Sequence, residues 1–136
     1  MRFAMSCLAT LAIGGCIFTG TDEERVNVSV QYTRSDTALA GDPRIVNAGG
    51  AVQVLHHFDL PTSCYNFSAS GRQTGATIKL TMIQTSGAIP GCPTEAAYWN
   101  FSALIAGVAG SATTLELTYD TDGTITQSQH PIPVPQ

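Results

Sequence analysis

The chain of 136 residues has room for one domain, and with 43% apolar and only 12% charged residues it fills its polar positions largely with Ser and Thr. That mix suits strands and turns better than exposed helices, which draw on Glu, Lys, Arg and Ala. A net charge of −4, with a single lysine and no basic cluster, argues against nucleic acid as a partner.

Arg2 precedes an apolar run over residues 3–13. As a helix that run would reach about 16 Å, roughly half the hydrocarbon thickness of a bilayer. A charged start, a short apolar run and small residues after it read as a secretory signal. The run ends in Ile13-Gly14-Gly15-Cys16. This motif resembles the lipobox of bacterial lipoproteins, an aliphatic residue and two small residues before Cys. The resemblance implies diacylglycerol on the Cys16 thiol, cleavage in front of it and acylation of the new amino terminus. Residues 1–15 are then a signal peptide, and two or more acyl chains give stable anchoring. The alternative is an ordinary secretory peptide cut near Gly20. Loss of residues 1–15 leaves five basic and ten acidic residues. The expected place is the cell envelope, with a membrane as partner through the lipid. Ile17 stands where Asp tends to retain lipoproteins in the inner membrane, which favours the outer membrane of a two-membrane cell.

There are four cysteines. Cys7 leaves with the signal and Cys16 takes the lipid, so Cys64 and Cys92 remain as one pair. Exported proteins live where disulfides persist, and a Cys64–Cys92 bridge is expected. On the chain-entropy model such a loop stabilises the fold by roughly 3–4 kcal/mol.

Residues 16–25 read as the lipidated terminus and a short acidic tether, and residues 26–130 as the domain. Val26, Val28, Val30 and Tyr32 alternate with Asn27, Ser29 and Gln31, the period of a half-buried strand. Residues 33–50 read as a loop with a short strand at 44–46. Further strands are expected at 51–58, at 64–70 and, after a turn over 71–75, at 77–85 with Ile78, Leu80 and Met82 inward. A loop holding Cys92 leads to a strand at 98–105 that buries Trp99, Phe101, Ala103 and Ile105. Another strand follows at 113–119, with Leu115, Leu117 and Tyr119 inward. Asp122-Gly123 is a tight-turn pair, and a weak last strand covers 123–129. Residues 131–136 alternate with proline and form a tail or edge segment.

About seven short strands with frequent turns predict an all-β fold, an antiparallel β-sandwich. Residues 102–120 (SALIAGVAGSATTLELTYD) resemble the closing hairpin of immunoglobulin-like and fibronectin-like domains. The resemblance spans residues 64–122 and implies an immunoglobulin-like sandwich, with no function attached. Trp99 follows Cys92 rather than lying between the paired cysteines, unlike the antibody pattern.

The candidate chemistry is sparse. Adjacent His56 and His57 point to opposite faces of a strand, whereas His57 and Asp59 share one, and His130 is a third conceivable ligand. No metal site and no cofactor are expected, because each of these residues has a simpler reading as core or surface. Asp120–Gly123 has a faint calcium-loop look that a β-turn explains. G-x-S-x-G, S-x-x-K and H-E-x-x-H are all absent, so a non-catalytic protein is expected. Ile83, Tyr98 and Leu104 fall on the outward phase of their strands and would form an apolar partner patch if exposed together. The leading expectation is a membrane-tethered envelope protein that binds or scaffolds a protein partner. The alternative is a small-ligand or inhibitor module presenting the disulfide-held Cys92 loop.

Overall fold

The computed structural model describes residues 23–37, 41–87 and 90–136. Residues 1–22, with the lipobox and Cys16, lie outside the described residues. Eight strands follow in order: β1 (Glu23–Ser35), β2 (Arg44–Asn47), β3 (Ala51–Leu60), β4 (Tyr65–Thr74), β5 (Thr77–Ser86), β6 (Ala97–Ala106), β7 (Thr114–Thr121) and β8 (Thr124–Pro131). The fold is all-β, and the strands form one sheet in the order β2-β3-β6-β1-β4-β5-β7-β8. The short segment expected at 44–46 is β2, which brings the number to eight.

The sheet folds over at β1. Residues 23–26 of that strand pair with β4, and residues 27–35 pair with β6. Two layers result, with their inner faces against each other. Val52, Val54, Phe101, Ala103 and Ile105 come from one layer. Ile78, Leu80, Met82, Leu115 and Leu117 come from the other, and all belong to one buried cluster. The period-two alternation expected for β1, β5, β6 and β7 is the alternation that builds this core.

Four features depart from the sequence reading. β1 begins at Glu23, inside the expected tether, because Glu23–Val26 pair with Gly71–Thr74. An exposed ion pair from Arg72 Nη1 to Glu23 Oε2 (2.8 Å) lies across the same ladder. Gly71 is not a turn residue but stands inside β4. The turn is the two-residue link Gly75-Ala76, between Thr74 and its partner Thr77. β6 and β7 do not form a hairpin. β6 pairs with β3 and β1, while β7 pairs with β5 and β8, so residues 107–113 cross from one layer to the other. Both strands have a largely buried face, and placing them in opposite layers sets those faces against each other across the core. The β5–β7 pairing that results is parallel. Finally, the proline-rich tail is partly docked. Ile132 is buried, its N–H donates to Thr113 O (2.9 Å), and Asn47 Nδ2 donates to Pro133 O (2.9 Å).

Candidate functional site

The interior changes character along its length. Around Val52, Ile78, Ile105 and Leu115 it is aliphatic. The other end gathers Tyr32, Phe58, Phe67, Trp99, Phe101 and Tyr119 from β1, β3, β4, β6 and β7. Tyr32 stacks on Phe67 with 4.0 Å between ring centroids, and Phe67 meets Trp99 edge-on at 5.0 Å. Phe58 lies 5.7 Å from Tyr119 and 6.3 Å from Phe101. Aromatic pairs in such arrangements contribute about 0.5–1.5 kcal/mol beyond their buried area.

His56 shares the inward phase of β3 with Val52, Val54 and Phe58, so its ring enters this cluster. It sits 5.5 Å from the Tyr119 ring, and its Nδ1 is hydrogen-bonded to the Tyr119 hydroxyl. Burial lowers the His56 pKa below the usual histidine value. A backbone hydrogen bond to Gly41 opposes the shift, the neighbouring His57 and His130 reinforce it, and Asp42 opposes it. Burial pushes the Tyr32 hydroxyl up to about 12 and the Tyr119 hydroxyl higher still. These groups are therefore neutral at ordinary pH.

Beside the cluster opens a cleft of about 280 Å³, lined by His56, residues 58–61, Gln84, Tyr119, Thr121 and Thr126. Gln84 occupies the inward phase of β5 after Ile78, Leu80 and Met82, and is only 2% exposed. Its Oε1 accepts from Thr121 Oγ1 at 2.8 Å, and its Nε2 has no partner. Tyr32 Oη and Trp99 Nε1 are likewise buried without partners at this end. An unpartnered buried donor costs roughly 1–3 kcal/mol, so three at one end of the molecule call for an explanation.

The cleft adjoins the disulfide. Cys64 and Cys92 are bridged, with Cα atoms 6.1 Å apart. The bridge joins the start of β4 to the loop between β5 and β6. Thr62 Oγ1 lies 2.6 Å from Cys92 Sγ, and Gly87 N–H donates to Cys64 O at 3.1 Å. A second groove of about 300 Å³ lies along Pro61, Thr62, Gly87 and Cys92–Thr94. The Asp122 carboxylate closes the same end by accepting from Ser86 N–H (2.8 Å) and Tyr65 Oη (3.0 Å). Those bonds, from Ser86 above all, hold its pKa below the ordinary aspartate value. Asp122 and Gly123 both have positive φ, 51° and 91°, the primed turn expected for a tight Asp-Gly hairpin. Asp120 Oδ1 accepts from Gly123 N–H at 2.9 Å, so one acid of the calcium-like segment closes the turn and the other ties it to β4 and β5.

The other candidates do not converge. His57 and Asp59 are exposed on the outer face of β3, where His57 Nδ1 is hydrogen-bonded to Asn100 Oδ1. His130 lies across the ladder from Leu115 on β8, with its Nε2 2.9 Å from Ser128 Oγ. Among the described residues no group of three His, Cys, Asp or Glu could hold a metal ion. The expected apolar patch does not assemble either. Ile83 stands on the outer face of one layer between Ser68 and Asp120. Leu104 stands on the outer face of the other, between Ser29 and Gln53. Tyr98 shares a strand with Leu104, but the two are roughly 20 Å apart at about 3.3 Å per residue. The patch idea treated separate faces as one surface. Gln84 escaped the sequence reading, although a signal existed: it is a polar residue on the core phase of an otherwise apolar alternation.

No protein-family model, no curated protein and no solved structure matches the chain.

Proposed function

We propose that the chain is a non-catalytic, lipid-tethered protein of the cell envelope that docks a protein partner along strand β8. The tether reading rests on the lipobox-like Ile13-Gly14-Gly15-Cys16. The docking reading rests on one observation: β8 is a sheet edge without a device against pairing. Natural edges are blunted by charge, proline, shortness or a covering segment. The eight residues of β8 include no Lys, Arg, Asp or Glu, and their one proline comes last. Among the described residues no strand pairs with its outer side. The opposite edge is different, because β2 has four residues and the C-terminal segment lies against it. An extended peptide adds to a free edge through backbone hydrogen bonds, and alternating side chains select it. On β8 those are Ile125, Gln127 and Gln129 on one face and Thr126 and Ser128 on the other, all exposed.

The test is site-specific photo-crosslinking of the full-length protein in its own membrane, from Gln127 and Gln129, with Ile83 as control. Crosslinks to one protein from the β8 positions, lost when Ile125→Lys and Ser128→Lys are added to the same chain, support the reading. Crosslinks absent from β8, or equal from all three sites, refute it. The anchor has its own check in the intact mass: a mass other than residues 16–136 plus acyl chains removes the tether. A second reading, an inhibitor presenting the Cys92 loop, draws on the bridge and the Thr62 contact, which pre-organise that loop. It places the crosslinks at Thr94 instead.

A further inference from the structure

Independently of the edge strand, the geometry points to a small-ligand site in the cleft beside Gln84, suited to a single neutral sugar ring. Three properties of the cleft carry this. His56, Phe58 and Tyr119 are each partly exposed and line it with ring surface. The C–H face of a pyranose packs on such rings, whose faces carry the negative end of the quadrupole. Gln84 is buried, uses one end of its carboxamide on Thr121, and leaves the other end unpartnered. Thr126 lines the same cleft, is exposed, and offers a hydroxyl.

Other guests fit less of this. A wholly apolar guest leaves the Gln84 amide unpartnered. A quaternary ammonium suits the rings but offers Gln84 no acceptor. An anion finds no Lys or Arg lining the cleft. A ring bearing hydroxyls accepts from Gln84, exchanges a hydrogen bond with Thr126 and stacks on the aromatic side chains. At about 280 Å³ the cleft lies at the lower end of the ligand-pocket range, which suits one ring rather than a long glycan.

The experiment is ligand-observed NMR on the full-length protein, extracted in a detergent with no sugar headgroup. The probes are the methyl pyranosides of glucose, galactose and mannose, with tetramethylammonium in parallel. Binding of at least one pyranoside is expected, with Kd on the order of 1 mM. Gln84→Met keeps the shape of the side chain and removes the amide, so affinity should fall about tenfold with the circular dichroism unchanged. Thr126→Arg, at an exposed β8 position, should block the cleft, and it carries the test if Gln84→Met does not fold. Three outcomes overturn the proposal: no pyranoside binding at about ten times that Kd, binding indifferent to both variants, or binding of tetramethylammonium alone.

Discussion

Gly71 marks the closest approach of β1 to β4. A Cβ there would sit 2.7 Å from Val28 Cγ2 and 2.8 Å from Val26 Cγ2. Both valines are β-branched and stiff at χ1, and the second belongs to the buried cluster, so a methyl group at 71 forces side chains or backbone to shift. Gly71→Ala should therefore cost about 1–3 kcal/mol in chemical denaturation. Val28→Ala in the same chain should recover part of that loss, which a general effect on the strand would not allow. His56 makes a pH-dependent prediction. Its pKa is lowered in the fold, chiefly by burial, so the unfolded chain binds the proton first as pH falls. The contribution is complete above the unfolded value near 6.5 and is lost as pH falls through the lower folded value. Urea titrations at pH 7 and pH 5 should show a smaller loss of stability for His56→Gln than for the natural chain. An equal loss would place the acid sensitivity elsewhere.

At the scale of elements, the β6–β7 segment shows how two correct strands make a wrong hairpin. Each strand alternates as expected, with Phe101, Ala103 and Ile105 inward on one and Leu115 and Leu117 on the other. Alternation specifies which side chains share a face and says nothing about which strand lies alongside. The crossing between them is held by its own bonds: Val108 N–H to Gly50 O (3.2 Å), Ala109 N–H to Gln73 Oε1 (2.9 Å) and Thr113 N–H to Ala76 O (2.8 Å). The disulfide acts on a different pair of connections, tying the β3–β4 link to the β5–β6 loop. Replacing Cys64 and Cys92 together by Ala should lower stability by about 2–4 kcal/mol. The cleft beside Pro61 should loosen with it. Faster hydrogen exchange in the loop holding Cys92 and at the end of β3, with the aliphatic end unchanged, is the expected pattern.

At the scale of the molecule, one core serves both layers, and β1 belongs to both. Neither layer keeps its buried face without the other, so the domain should unfold in a single transition. Trp99 reports on one layer by fluorescence, while far-ultraviolet circular dichroism reports on the whole sheet. The two denaturation curves should coincide, and separate midpoints would show the layers to be independent. The polar chemistry is polarised too. The aliphatic end carries the Gly75-Ala76 turn and the crossing over 107–113, and the aromatic end carries the Asp122-Gly123 turn, the disulfide, the cleft and three of the unpartnered buried polar atoms.

Local chemistry in the sequence determined a good deal of this. Period-two patterns gave the strands, their inward residues and the all-β class, because a side chain's face depends only on its place along its own strand. Asp122-Gly123 identified its turn, since few residue pairs accept positive φ at both positions. Reading Ile13-Gly14-Gly15-Cys16 as a lipobox left Cys64 and Cys92 as the expected pair, and the two are bridged. Tertiary structure alone decided which strands are neighbours, that β5 and β7 run parallel, and that Gly71 serves a close approach rather than a bend. It also decided that Ile83 and Leu104 face away from each other, and that Gln84, His56, Phe58 and Tyr119, from three strands, line one cleft. These are long-range facts, set by how two buried faces meet across a core, and no local window of residues contains them.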